Sequence, residues 1–239
     1  MKAEITAATL VLLGRFRPSD FTIEQLIRGK VLSKDELSAA QYEILLPDQA
    51  VTVVLPWGKV FAVEERLMVE VSQPPFIRGC DFALKTLNDI AATSTVFKFG
   101  INLVSHYRFE SIGARDNFAR RFAPLEPWGD FGAVVEKSFK EDGARHGGVM
   151  RVTMRQAVPS DRSAGWLDVT IEPSPAIENH LGVAISTNDH YELGPEEVKD
   201  SRGTPRAVSE QMLNLLSSSF ESSIERSFQI CESLTSQKQ

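Results

Sequence analysis

The sequence predicts an α+β protein in which one curved, mainly antiparallel sheet carries long helices on one face. Three observations lead to this class. Short segments alternate apolar and polar residues as strands do, segments between them have helical periodicity, and the order of these segments occurs twice. Each occurrence is a β-α-β(3-4)-α unit, the first over residues 1–94 and the second, with a long C-terminal helix, over residues 95–239. Together the two repeats are predicted to form one compact, pseudo-symmetric unit.

The first repeat begins with β-branched and aliphatic residues over Ile5–Phe16, which predict a strand. Asp20 is placed to cap a short helix over Phe21–Arg28, and residues 30–41 are predicted as a loop or a single turn. Four strands are predicted next, at Tyr42–Leu46, Val51–Leu55, Val60–Glu65 and Leu67–Ser72. A helix over Phe76–Ala92 completes the repeat, because its apolar residues lie near one face.

The second repeat opens with the clearest alternation in the chain, over Phe97–Phe109, which predicts a long strand with one covered and one open face. A helix is predicted over Ala114–Phe122, while Phe131–Phe139 fits either a helix or a strand. Glycines at 143, 147 and 148 mark a loop. Three more strands are predicted, at Val149–Val158, Leu167–Glu172 and Leu181–Ile185.

A charged connection over Pro195–Arg206 leads into a helix predicted from Pro205 to Leu234. Apolar residues recur there at every fourth position, at Val208, Met212, Leu216, Phe220, Ile224 and Phe228. Such a helix is about 43 Å long, so it needs a long sheet or a partner to lie on.

Composition narrows the range of partners and locations. The net charge of −6 gives no overall attraction to nucleic acid or anionic lipid, so nucleic-acid binding is disfavoured. The sequence shows no signal-peptide pattern, and its apolar run over Ile5–Leu13 is too short to cross a bilayer. Cys80 and Cys231 are predicted to be buried free thiols. We therefore expect a cytoplasmic protein without a membrane partner.

No catalytic, cofactor-binding or metal-ligating set is predicted. Asp130-Phe131-Gly132 matches a kinase tripeptide, but the other kinase motifs are absent from the sequence. The glycine-rich segment 143–148 precedes a strand, whereas phosphate-binding loops precede a helix. Asp189-His190 is either a seed for two metal ligands or a turn at a strand end. The sequence does not decide whether the protein is an enzyme, but it favours a binding function over enzymatic activity.

One surface of the second repeat combines basic and hydrogen-bonding side chains that point away from the predicted core. These candidate binding residues are Lys98, Asn102, His106, Arg108, Arg151, Thr153 and Arg155. They predict a site for an anion, a nucleic-acid backbone or an acidic partner. The alternative is a solvated sheet face with cross-strand charge pairs, because Asp168, Thr170 and Glu172 share that face.

The strands of the first repeat, in contrast, are apolar on both faces, as in Val51–Leu55. The second face must then be covered, either by residues 30–41 or by another protein chain. We therefore expect a non-enzymatic binding or adaptor protein that engages a protein partner, or a second copy of itself, through this sheet and the C-terminal helix. Two alternatives stay open: nucleic-acid binding on the open sheet face, and a small-ligand or enzyme pocket near His106 and Tyr107.

The segment Val51–Val60 resembles a strand–Gly-Lys–strand hairpin of the TATA-box-binding protein family, and the helix Phe76–Ala92 follows it as in that family. The element order used twice also resembles the family's saddle fold, which implies the fold and, by analogy, nucleic-acid binding. No binding residue carries over, because the family's wedge phenylalanine would fall at Leu55 and the second half has no matching hairpin. The strand Phe97–Phe109 with the helix around Phe220–Phe228 also resembles a sporadically distributed bacterial family, which implies no function.

Overall fold

The computed structural model describes residues 1–142, 148–200 and 202–236, and for residues 138–142 the backbone alone. The strands are β1 Ile5–Arg15, β2 Gln41–Leu46, β3 Ala50–Leu55, β4 Gly58–Val63, β5 Arg66–Val71, β6 Thr95–Arg108, β7 Val152–Ala157, β8 Gly165–Pro173 and β9 Gly182–Glu192. The α-helices are α1 Ile23–Arg28, α2 Lys34–Ala39, α3 Ile77–Asp89, α4 Ile112–Arg120, α5 Gly129–Asp142, α6 Pro195–Asp200 and α7 Pro205–Ser236. Single 3₁₀ turns lie at Pro18–Phe21, Glu126–Trp128 and Glu178–His180.

The nine strands form one antiparallel sheet in the order β2-β3-β4-β5-β1-β6-β9-β8-β7. The opening strands of the two halves, β1 and β6, pair along their whole length at the centre of this curved sheet. In each half the last strand, β5 or β9, returns to pair with the opening strand. The predicted fold class, an α+β protein with one curved antiparallel sheet, is confirmed.

Both long helices pack on the same face of the sheet, which we call the helix face. In the centre of the sheet, Leu10 and Ile101 point to this face and are almost completely buried. Helix α3 lies so close to β5 that a Cβ added to Gly79 would be 2.7 Å from a methyl group of Val71. Helix α7 reaches the same face further along, where Ser223 contacts Asp189 of β9. The prediction of helices on one face therefore holds.

The apolar stripe of α7 is used within the chain itself. Met212, Leu216 and Phe220 are at most 2% exposed and belong to the main core. Further along, Cys231 is buried in a second apolar cluster together with Phe118 of α4. Cys80 is likewise buried and unpaired, as predicted. The sheet is thus the support that this long helix needs.

Three local predictions differ from the structure. Residues 30–41 contain α2, which starts with a reciprocal capping box between Ser33 and Glu36 rather than running as a loop or a single turn. The N-cap of α1 is Thr22, not Asp20. The charged connection contains the short helix α6. Of the two alternatives left open for the segment around Phe131, the structure has the helix. The loop predicted from glycines 143 and 147 lies outside the described residues.

A buried charged cluster fastens the loop between β7 and β8 to the helix face. Asp189 of β9 is fully buried, and its Oδ1 lies 2.7 Å from Nη1 of Arg162 in that loop. The Ser223 hydroxyl of α7 donates to Asp189 Oδ2 at 2.7 Å, and the Tyr191 hydroxyl donates to the same oxygen at 3.2 Å. The carboxylate is therefore paired with an opposite charge and hydrogen-bonded, as a buried charge must be.

Candidate binding face on the open side of the sheet

The register of the sheet places six of the seven candidate residues on the face opposite the helices, which we call the open face, and the seventh, Arg151, lies near Glu172 of the same face. Lys98, Asn102, His106 and Arg108 alternate along β6 with the buried side chains of the helix face. Thr153 and Arg155 share the open face of β7 with their partners Thr170 and Asp168 of β8, and Arg151 precedes that strand. Strands β9 and β8 lie between the two groups, so about 14 Å of sheet separates them. They form two clusters on one face rather than one site.

Carboxylates offset most of the positive charge on this face. Arg108 donates to Glu4 at 2.6 and 2.9 Å. Arg155 makes the same two-pronged contact with Asp168, at 2.7 Å for both hydrogen bonds, and these bonds hold the pKa of Asp168 below its usual range. Arg151 lies 3.8 Å from Glu172. The arrangement is the one expected for cross-strand charge pairs, the alternative that the sequence left open.

A polar hollow of about 180 Å³ lies between the two clusters. Its polar side chains are Thr9, Asn102, Arg151, Thr153, Asp168, Thr170, Ser186 and Asn188. Some of these groups are already satisfied, because Asn102 Nδ2 donates to the Thr9 carbonyl at 3.1 Å and the hydroxyls of Thr153 and Thr170 are 2.9 Å apart. The hollow can offer hydrogen bonds to a ligand, but little net charge.

A three-layer stack borders this hollow. The rings of Trp166 and His190 are nearly parallel with centroids 3.8 Å apart, and the guanidinium carbon of Arg155 lies 4.6 Å from the Trp166 ring centroid. His190 therefore points to the open face, whereas Asp189 points to the helix face, because successive strand residues alternate. The pair considered as a seed for metal ligands does not converge, and that interpretation is wrong.

His106 is also held within the sheet. Its Nδ1 lies 2.7 Å from the hydroxyl oxygen of Ser174, and only 8% of the residue is exposed. Tyr107, the next residue, is buried on the helix face among apolar side chains. A single pocket near His106 and Tyr107 therefore does not form, since the two side chains leave the sheet on opposite sides.

Acidification through the histidine range is expected to destabilise the fold. Burial lowers the pKa of His106 and of His190 below the ordinary value of 6.5. The unfolded chain therefore binds protons first as the pH falls, so stability is complete above about pH 6.5 and is lost below it. Urea denaturation at pH 7.5 and 5.5 measures this loss, because ordinary carboxylates stay largely ionised in that window. We expect a smaller loss in the variant His106→Gln/His190→Gln, and an equal loss would contradict the assignment.

The open face of the first half is apolar. One cross-strand row joins Ile44, Thr52, Phe61, Met68 and Val11, each directly opposite the next on strands β2, β3, β4, β5 and β1. We call these five residues the apolar row. Ile44 is 39% exposed, Phe61, Met68 and Val11 are half-buried, and Thr52, the one polar member, is buried. The sequence indicated strands that are apolar on both faces, but only the hairpin registers show that these side chains line up.

Residues 30–41 do not cover the apolar row. Leu37 of α2 packs against the main core, and Trp57, buried in that core, donates from Nε1 to Glu36 at 2.7 Å. Trp57 in turn packs against Phe82 of α3, so the whole segment lies on the helix side. The sequence allowed the apolar row to be covered either by residues 30–41 or by another protein chain. Residues 30–41 lie on the opposite face of the sheet, which leaves a separate protein chain as the alternative.

Within residues 1–142, 148–200 and 202–236, no group of three or more His, Cys, Asp or Glu side chains is arranged to hold a metal ion. None of the helices in this part of the chain is both long and apolar enough to cross a bilayer. No protein-family model matches the sequence, and a search of curated proteins finds no match.

Proposed function

We propose that this chain is a non-enzymatic binding protein that holds an apolar segment of a protein partner on the open face of its first half. The apolar row carries the proposal: five adjacent strands present Ile44, Thr52, Phe61, Met68 and Val11 in register, on a face that α2, α3 and α7 leave bare. Ile44, Phe61, Met68 and Val11 are at least partly exposed, while Thr52 between Ile44 and Phe61 is buried. Apolar side chains exposed together on adjacent strands are typical of interaction sites.

The size of the row limits what can bind it. Four strand spacings separate β2 from β1, a distance of about 19 Å. This length matches roughly three to four turns of a helix. Covering a side chain such as Phe61 or Met68 contributes up to about 1.5–3 kcal/mol each, less for the part already buried. An amphipathic helix that places its apolar stripe along the row fits these dimensions.

Charge favours a protein partner over nucleic acid. Nucleic-acid binding depends on neutralising phosphates with lysine and arginine. On the open face Arg108 and Arg155 are engaged by Glu4 and Asp168, and the whole chain carries a charge of −6. Nucleic-acid binding, which the saddle-fold resemblance would imply, remains the alternative; a salt-dependent gel shift at low ionic strength would favour it.

A charge-insertion variant tests the proposal. Phe61→Lys/Met68→Lys should abolish capture of the protein partner, because two ammonium groups would have to be desolvated against its apolar stripe. The matched control is Ile27→Lys, since Ile27 is 50% exposed on α1, outside the open face. Affinity capture from the native cell, quantified by mass spectrometry, measures the effect, with urea denaturation as the folding check.

The expected result is a partner that is lost from the double variant and retained by Ile27→Lys. Retention of every captured protein by a folded double variant would refute the proposal. So would a wild-type chain that captures no protein. Sedimentation of the wild type and the double variant shows separately whether the row binds a second copy of the chain.

A further inference from the structure

We propose that the free edge of β7 pairs antiparallel with β7 of a second copy, which joins two sheets across a two-fold axis. This contact is separate from the apolar row, which lies on the open face of the other half of the sheet. The two edges of the sheet, β2 and β7, are both candidates for such pairing, and they differ in how they are protected.

Strand β2 carries the features that block edge pairing. Its pairing with β3 shifts register between Tyr42 and Ile44, so the strand bulges there. The Tyr42 hydroxyl is also tied to α1, accepting a hydrogen bond from the Ile23 amide at 2.7 Å. Strand β7, in contrast, pairs with β8 over Val152–Ala157 without any irregularity. Among residues 1–142, 148–200 and 202–236, β7 is therefore the edge strand that is regular over its whole length.

The helix face next to β7 is apolar and uncovered within the described residues. Met154 is 72% exposed although its neighbours on β8 and β9 face the core, and Met150, just before β7, is 62% exposed. Trp128, in the 3₁₀ turn before α5, and Phe131, in the first turn of α5, are each 61% exposed. Both line an apolar hollow of about 240 Å³ together with Val152. A partner strand that pairs with the free edge of β7 would cover the exposed apolar residues of both β7 and α5.

The sequence of β7 is compatible with pairing to itself. A two-fold axis perpendicular to the sheet keeps the helices of both copies on the same side of the joined sheet. In such an antiparallel pair, each residue lies opposite a residue whose side chain points to the same face. If Met154 lies on the axis, it opposes Met154 of the second copy, and Thr153 opposes Arg155. An axis at Arg155 would instead place two arginines directly opposite each other, which is unfavourable. The register centred on Met154 avoids this repulsion and sets the exposed Met154 side chains of the two copies against each other, so we propose this register.

This register also pairs the two ends of the strand. It sets Val152 of one copy opposite Gln156 of the other, and it ends at Ala157 because Val158 has a φ of +41°, outside the strand conformation. Both α5 patches then lie on the same side of the seam. Since the same surface supplies both halves of the contact, a second copy is the occupant that the edge fits best.

Cysteine cross-linking tests the register. Directly opposed Cα atoms in an antiparallel pair are about 4.5–5.5 Å apart, within the range that a disulfide spans. Met154→Cys should therefore form a covalent dimer of twice 26.5 kDa under mild oxidation. Ile27→Cys is the matched exposed control, and Arg155→Cys should cross-link far less, because its diagonal partner is about 8 Å away. The native Cys80 and Cys231 are buried and give a low background.

Charge exchange at the same position gives an independent readout. Met154→Lys and Met154→Glu should each sediment as monomers, because like charges meet on the axis, and mixing the two should restore a dimer. The proposal is overturned if the wild type stays monomeric at high micromolar concentration. It is also overturned if Met154→Cys cross-links no faster than Ile27→Cys, or if Arg155→Cys cross-links fastest.

Discussion

Replacing Asp189 by alanine is expected to lower the free energy of unfolding by up to about 3–5 kcal/mol, the usual cost of removing one partner from a buried ion pair, with part of the loss offset by the remaining pair of Arg162 with Asp161 at 3.0 Å. The loss of stability arises because the positively charged guanidinium of Arg162 remains buried. The Arg162 side chain is 2% exposed, and Asp189 supplies the carboxylate 2.7 Å from its Nη1. Among the described residues, the guanidinium then keeps Asp161 and the His190 carbonyl as hydrogen-bond acceptors.

The matched control for this variant is Asp168→Ala, one strand away. Asp168 also makes a close arginine pair, but its partner Arg155 is 56% exposed on the open face. Exposed pairs of this kind contribute about 0–1 kcal/mol. Urea denaturation at pH 7.5 compares the two variants directly. Equal losses would mean that the cluster around Asp189 does not hold the β7–β8 loop to the helix face.

Replacing Phe220 by alanine is expected to cost about 3–5 kcal/mol, the usual penalty for removing a core phenylalanine. Phe220 is 2% exposed on the sheet-facing side of α7 and belongs to the main core. Its removal leaves a cavity between helix and sheet that the surrounding strands fill only in part. Because α7 is the last element of the chain, this cost measures how firmly it is part of the fold.

Phe228→Ala is the control on the same helix. Phe228 is 41% exposed and its ring lies 6.1 Å from that of Phe76, just before α3. Losing such an aromatic contact costs about 0.5–1.5 kcal/mol beyond the buried area. Thermal and urea unfolding of both variants measure the difference. A Phe220→Ala variant as stable as Phe228→Ala would show that α7 is only loosely attached, and would reopen a docking role for its stripe.

The two surfaces proposed for binding use different properties of the sheet. The apolar row belongs to the middle of the first half, where side chains from five strands stand side by side. The β7 contact belongs to the far edge, where the backbone of one strand is unpaired among the described residues. Lysine at Phe61 and Met68 should therefore leave the Met154 cross-link intact, and the two proposals fail independently.

Elements with a strong local period could be predicted from the amino-acid pattern alone. The alternation over Phe97–Phe109 and the four-residue repeat of α7 specify which side chains share a face, because strand and helix geometry depend only on neighbouring residues. The face assignment of the seven candidate residues followed from the same rule. The missed helix α2 had a local signal as well, the Ser33–Glu36 capping box.

Which strands are neighbours became known from the three-dimensional fold. Strands β9 and β8 lie between the two groups of candidate residues, and β8 brings Asp168 and Glu172 against Arg155 and Arg151. Hairpin registers aligned Phe61 with Met68, and the position of β7 at the edge left Met154 exposed. Strand order and register depend on contacts between residues far apart in the chain. Periodicity therefore predicts the face of the sheet to which a side chain points, but not which side chains of other strands lie next to it.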